Sequence, residues 1–289
     1  MKDYALYEKP DILDIGFPVK INSLSYKKRG MIAFTGHWHE EIEILYFVQG
    51  KAVVKCDSQP LKVVPGDVVF INSNVIHEGY SLTENLIYYC IIFSTSFLKG
   101  DFNENCEQKY ITPIIQNLIQ FRNKISGDAE VTGCIEDIMT EWREKLDGYE
   151  LLIKSSVYRL LGIYYRKYTE KILTEKEYAS RINNLERLNR VISFIDKNYM
   201  NPMTIAELAQ MLCISKYHFC HVFKNLTGKG VNEYINMVRV EQAERLLKNT
   251  DMNITEIAMA TGFSDANYFS RVFSKYKKIP PSSIRKAGL

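Results

Sequence analysis

Three regimes of hydrophobic spacing divide this chain. After an irregular arm of about twenty residues, the apolar positions between 21 and about 97 fall in short runs rich in β-branched and aromatic side chains. The runs are IEILYFV (42–48), AVVKC (52–56), LKVV (61–64), DVVFI (67–71) and LIYYCIIF (86–93). Turn signals at Gln49-Gly50, Ser58-Gln59-Pro60 and Pro65-Gly66-Asp67 separate them. Short strands at this spacing, with no helical pattern between them, predict a small sandwich or barrel. From about Ile111 the period changes to that of a helix. Ile114, Ile115, Leu118 and Ile119 form one stripe, and Ile135, Ile138, Met139, Trp142 and Leu146 a second. Leu152, Val157, Leu160, Leu161, Tyr164 and Tyr165 form a third. Residues 169–184 are polar, lack a clean apolar stripe and read as a linker. Helical spacing then returns in shorter pieces to the end.

The last hundred residues contain a self-match. Thr204-Ile205-Ala206-Glu207-Leu208-Ala209 lines up with Asn253-Ile254-Thr255-Glu256-Ile257-Ala258 at an offset of 49, as does Ser215 with Ser264. Phe219, Val222 and Phe223 match Phe269, Val272 and Phe273 at an offset of 50, so one extra residue enters near the start of the second copy's last helix. Each copy opens with a capping box, Thr204 with Glu207 and Asn253 with Glu256. Each then offers a second N-cap serine, Ser215 or Ser264, after the turn. Each copy is therefore a helix–turn–helix. The i, i+3, i+4 apolar positions pin one face of the second helix to its neighbours. The opposite face carries Tyr217, Cys220, His221 and Lys224 in the first copy, with Lys216 at the helix start, and Asn267, Ser270, Arg271 and Ser274 in the second. Arginine fits the paired acceptors of guanine and asparagine the donor–acceptor edge of adenine, while lysine suits phosphate. Lys216, Tyr217, Cys220, His221, Lys224, Asn267, Ser270 and Arg271 are thus the candidate DNA contacts. The amphipathic segment 231–248 is expected to hold the two units about 34 Å apart, one DNA turn. Two helical pairs that bind protein or only fill space are the bland alternative. Repetition, basicity and polar outer faces argue against it.

Composition sharpens this picture in two ways. The net charge of +3 conceals an asymmetry: residues 185–289 hold 15 Lys/Arg against 9 Asp/Glu, and residues 1–184 hold 22 against 25. The basic back half suits a polyanion. With 46% hydrophobic and 25% charged residues the chain is that of an ordinary globular protein. Its start has no basic-then-apolar signal, and its longest apolar run, 86–93, is too short to span a bilayer, so a cytoplasmic protein without membrane contact is expected. The six cysteines stand singly and are expected to be reduced. Cys213, His218, Cys220 and His221 suggest zinc, but the second copy has Gly262, Asn267 or Tyr268, Ser270 and Arg271 there and needs no metal.

In the front half, His37-Trp38-His39-Glu40-Glu41-Ile42-Glu43 is followed by Gly50 and later by His77. On one strand, period-2 alternation would place His37, His39, Glu41 and Glu43 on a common face. Imidazoles and carboxylates are ligands of divalent metals. Two readings follow: a metal held by His37, His39, Glu43 and His77, or a small-molecule pocket or structural hydrogen bonds built from the same residues. The spacing from His37 to Gly50 resembles the first motif of the cupin fold. The second cupin motif is matched at His77, with Asn72 and Asn74 where proline and glycine are usual. Residues from about 187 to 285 resemble the AraC-type DNA-binding domain. Its markers here are Ile257-Ala258, Gly262-Phe263, Tyr268-Phe269-Ser270-Arg271-Val272-Phe273, Pro281…Arg285 and the Arg239…Ala243…Leu246-Leu247 spacing.

These resemblances imply an α+β multidomain chain. Residues 1–105 would form a cupin-like effector-sensing barrel with an N-terminal arm, 106–168 a helical interdomain or dimerisation segment, 169–184 the linker, and 185–289 an all-α domain of two helix–turn–helix units joined by a long helix. They imply a transcription regulator, not an enzyme, that binds promoter DNA as a homodimer and contacts RNA polymerase if it activates. A small-molecule effector, with sugars the common theme, would bind near His37, His39, Glu43 and His77 without a cofactor. A divalent metal at those four residues is the alternative. The competing function is a metal-dependent cupin enzyme with a helical docking tail, for which no acid–base partner is visible beyond the same four residues.

Overall fold

A computed structural model describes residues 6–8, 10–12, 16–98, 105–277 and 279–286, with only the backbone at 225, 226, 285 and 286. The side chain of Arg285 lies outside the described residues. The chain divides into one unit over Leu6–Leu185 and another from Glu186 onward.

In the first unit, eight strands of the described residues up to Phe93 are divided between two antiparallel sheets. They are β1 (Val19–Tyr26), β2 (Ile32–His37), β3 (Ile42–Gln49), β4 (Ala52–Cys56), β5 (Gln59–Val63), β6 (Val68–Ile71), β7 (His77–Ser81) and β8 (Leu86–Phe93). One sheet has the order β1-β8-β3-β6, extended beside β6 by a later strand at Lys124–Ile125, and the other β2-β7-β4-β5. A short helix α1 (Thr112–Ile115), strands β9 (Ile119–Phe121) and β10 (Lys124–Ile125), helices α2 (Ala129–Glu144) and α3 (Tyr149–Lys167), and strand β11 (Thr169–Ile172) follow. Strand β3 explains the near-continuous apolar run of its sequence. Leu45 and Phe47 point into the interior with Val54, Val69, Ile71 and Tyr88. Ile42 and Ile44 point the other way, into a second core with Ile135, Ile138, Val157, Leu160 and Tyr164 of α2 and α3. A strand buried on both faces loses its alternation. Phe70 joins sheet to helices, its ring centroid 4.6 Å from Tyr164 and 5.2 Å from Phe121. Burying each such ring contributes about 1.5–3 kcal/mol.

Two sequence expectations change here. The segment 106–168 is not wholly helical, because Ile119 lies in β9 and β10 extends the main sheet beside β6. Side-chain amides hold this segment. The Asn72 amide donates to Phe121 O and accepts from Phe121 N–H, each at 2.9 Å, and Asn123 donates to Phe70 O at 2.8 Å. Such bonds span about fifty residues and leave no periodic trace. Nor is 169–184 a linker: β11 pairs with β9, and helix α4 (Glu175–Asn198) starts within the segment. Thr174 and Glu177 form a reciprocal cap, with Glu177 N–H to Thr174 Oγ1 at 3.2 Å and Thr174 N–H to Glu177 Oε2 at 2.8 Å. This is the same T-x-x-E signal read elsewhere in the chain. The first turns of α4 look polar because they are largely exposed.

Among the described residues, the second unit holds the end of α4 and six further helices: α5 (Ile205–Met211), α6 (Lys216–Thr227), α7 (Val231–Asn249), α8 (Ile254–Ala260), α9 (Ala266–Lys277) and α10 (Pro281–Lys286). Thr204/Glu207 and Asn253/Glu256 both close as capping boxes. The second-copy N-cap is a correction. Tyr268 N–H donates to Asp265 Oδ2 at 2.7 Å and Phe269 N–H to Asp265 O at 3.0 Å, the positions that Ser215 fills for His218 and Phe219 in the first copy. Asp265, not Ser264, caps α9. The extra residue therefore sits in the turn, and the helices align at an offset of 50 from their caps onward.

Candidate functional site

The chain crosses from one sheet to the other at residues 37–43, and four polar side chains meet there. His37 ends β2, His39 lies in the crossover and Glu43 is on β3, so the expected single strand is in fact a corner. Register supplies the fourth member, since His77 at the start of β7 pairs with His37. One ligand atom from each of His37, His39, Glu43 and His77 lies within 4.8 Å of the others. Glu41, expected on the same face, is not among them. Asn74 takes φ 60°, the left-handed conformation its place in the motif requires.

Each ring is oriented the same way. Nδ1 of His37, His39 and His77 lies 2.8, 3.1 and 2.9 Å from the carbonyls of Thr35, Glu41 and Val75. A carbonyl only accepts, so each Nδ1 carries a proton and Nε2 is the nitrogen left to face the cluster. Glu43 Oε2 is 3.0 Å from His39 Nε2 and 2.9 Å from His77 Nε2. Two lone pairs repel at such distances unless a proton or cation lies between them. His77 Nε2 is buried and makes no hydrogen bond of proper geometry among the described residues. Burial, reinforced by His77, lowers the His37 imidazolium to about 3, which keeps that ring neutral. Burial alone would raise the Glu43 carboxyl, yet the charge of His77 and the hydrogen bond from His39 hold it well below the usual range. For His39, burial is outweighed by the hydrogen bond and charge of Glu43, and its value is raised. Three imidazole nitrogens with Nδ1–H fixed by backbone carbonyls, plus one carboxylate, form a donor set that fits a divalent transition metal.

Two neighbours carry no signal in the sequence. The Cys90 thiol donates to Glu43 Oε1 at 3.1 Å, reaching it because β8 pairs with β3. Phe34 packs its ring over Gly79 and lies 5.8 Å from the His77 ring and 6.2 Å from that of His37. The arm also reaches this corner: Trp38 N–H donates to Leu6 O and Glu8 N–H to Trp38 O at 3.0 Å, between the two histidines.

The second candidate site is exposed. On α6, Phe219 and Phe223 are buried while Lys216, Tyr217, His221 and Lys224 are exposed and Cys220 is half-buried. Tyr217, at 86% exposure, has no part in any core. On α9, Phe269, Val272 and Phe273 are buried and Asn267 and Arg271 exposed. Ser270 is half-buried, and its hydroxyl donates to Ala266 O at 2.9 Å, so it serves its own helix first. Tyr268, which the repeat did not single out, is exposed, and the Arg271 guanidinium lies 5.9 Å from its ring centre. Among the described residues, the barrel corner alone gathers metal-ligating side chains, and Cys213, His218, Cys220 and His221 do not. No described helix is long and apolar enough to cross a membrane.

Comparison with known proteins matches both sites to known domains. A family model described as AraC-like ligand binding domain matches residues 30–161, and one described as helix-turn-helix domain matches 208–287. The uncharacterized HTH-type transcriptional regulator YdeC of Bacillus subtilis (strain 168) is 22% identical over 255 residues, covering 86% of this chain and 85% of its own. The HTH-type transcriptional activator RhaR of Yersinia pseudotuberculosis serotype O:1b (strain IP 31758) is 23% identical over 256 residues, 88% and 85% of the two chains. The uncharacterized HTH-type transcriptional regulator YijO of Escherichia coli (strain K12) is 40% identical over 93 residues, 32% and 33%.

Proposed function

This chain belongs to the AraC-type transcriptional regulators, an AraC-like ligand-binding domain followed by a helix–turn–helix DNA-binding domain, and from that premise we propose that it reads promoter DNA with α6 and α9 under the control of an ion-sized effector at His37, His39, Glu43 and His77. The convergence of those four side chains carries the reading. Their donor atoms span at most 4.8 Å, and His39, Glu43 and His77 are buried, which suits a divalent transition metal better than a sugar. The metal would supply the positive charge that Glu43 and the Nε2 lone pairs otherwise meet only with protons. The relatives named above are regulators, which favours control over the enzyme alternative. As an effector, the ion must bind one conformational state better than another, and a coupling of about 1–3 kcal/mol would change operator affinity about 5- to 150-fold.

Metal analysis of the purified protein, a cobalt(II) absorption titration and a mobility shift on the DNA upstream of its own gene test this together. The expected result is one equivalent of metal, lost in the His37→Ala/His77→Ala variant, and a site-specific shift whose affinity changes at least about fivefold when metal is removed. Site-specific binding without metal at the cluster would remove the ion and keep the regulator. Equal affinity for promoter and random DNA would remove the regulator.

A further inference from the structure

We propose that Arg181 couples the histidine cluster to α4, the helix that continues as far as Asn198; the inference rests on the cluster being the effector site. The loop that delivers His77 contains three consecutive buried polar residues, Asn72, Ser73 and Asn74. Asn74 N–H donates to His39 O at 2.8 Å, so this loop also holds the second histidine. The turn after β4 grips the other end: Asp57 N–H donates to Ile76 O at 2.8 Å, and Asp57 Oδ1 accepts from Ile76 N–H at 3.2 Å. Arg181 Nη2 ties both points together, donating to Asp57 Oδ2 at 2.6 Å and to Asn74 O at 3.5 Å. A movement of His39 or His77 onto an ion must therefore displace one or both of the groups that Arg181 holds.

The clasp has the properties of a switch. On its far side the loop is fixed, by Asn117 Nδ2 to Ser73 O at 2.6 Å and by the Asn72–Phe121 pair. On the α4 side it is adjustable. The Arg181–Asp57 pair is part-exposed, 26% and 35% by side chain, and such pairs are weak enough to be released. Arg181 Nε is buried without a hydrogen-bond partner among the described residues, which leaves a donor for a second arrangement. Further along the same helix, Leu188, Val191, Ile192 and Ile195 are buried in the helical unit. A shift of α4 at Arg181 is thus covalently continuous with a helix of the DNA-binding unit.

Full-length protein decides the matter, with cobalt(II) as probe and the upstream DNA as target. Arg181→Ala and Arg181→Gln should bind cobalt within about threefold of the parent, while the ratio of operator affinities with and without cobalt falls from fivefold or more to below about twofold. A full ratio in both single variants overturns the inference and leaves the effector reading intact. Loss of cobalt binding by more than about tenfold also overturns it, because Arg181 would then be building the cluster instead of reporting on it. A parent protein whose DNA affinity ignores cobalt removes the effector reading, and this inference with it.

Discussion

The two helix–turn–helix copies share a core and differ in their turns, and the difference shows what one residue of added length achieves. Both first helices end in the same bond pattern, Ile214 N–H to Ala209 O at 3.3 Å and Phe263 N–H to Ala258 O at 2.9 Å. Both place the residue before that donor in the left-handed region, Cys213 at φ 53° and Gly262 at φ 83°. Cys213 bears the conformation with an exposed side chain. Gly262 has no such freedom, because a Cβ there would lie 2.6 Å from Tyr199 O and 2.8 Å from Met200 O. The same Tyr199 carbonyl accepts from Arg239 Nε at 2.8 Å, which locks α7 to this point. Two constraints, φ and packing, thus fix glycine in the second copy, whereas the first copy meets only the φ constraint and carries a cysteine. The outer faces diverge as well. From the corrected alignment, Arg271 stands opposite His221, Asn267 opposite Tyr217 and Ser274 opposite Lys224. The second copy carries an arginine and an asparagine, side chains whose chemistry suits base edges, where the first carries a histidine and a tyrosine.

Breaking this asymmetry should be felt in graded steps. Gly262→Ala should destabilise the protein by about 2–4 kcal/mol, read by denaturant unfolding, since a strained φ and a backbone clash add. A loss below about 1 kcal/mol would show that the α4 end yields. Arg271→Ala should weaken operator binding by about 1–3 kcal/mol and relax preference at one base pair. Equal losses on random DNA would reassign it to phosphate. Lys224→Ala should weaken all sequences alike by about 1 kcal/mol or less and lower the salt slope by about one, as a titration in potassium chloride would reveal. Cys213→Gly should fall within about 1 kcal/mol of the parent, because relief of the left-handed strain offsets the greater freedom of the unfolded chain.

Legibility followed distance along the chain. The capping boxes at Thr204 and Asn253 were readable because cap and partner lie three residues apart. The third reciprocal cap, at Thr174, was equally local and was hidden only by the polar turns that follow it. The strands with strong apolar runs, β3, β4, β6 and β8, were visible. The short β9, β10 and β11 were not, since side-chain amides and distant partners make them strands. Of the candidate site, the four side chains were named from spacing, but their alternation on one strand was wrong and Cys90, Phe34 and Arg181 carried no signal. Each of those three owes its place to strand pairing or to a contact with an element remote in sequence.

Local pattern was enough for the repeat, the capping boxes at Thr204 and Asn253, the buried and exposed faces of α6 and α9, and the residue types from which the cluster is made. These rest on hydrogen bonds and periodicities that close within a few residues. Long-range contacts alone settle that His37 faces His77, that Glu43 sits between His39 and His77, that Gly262 cannot be another residue, and that α4 begins where a linker was expected. Each of these depends on which distant segment arrives as neighbour. Sheet register and helix packing settle that arrival, and no local pattern along the chain encodes it.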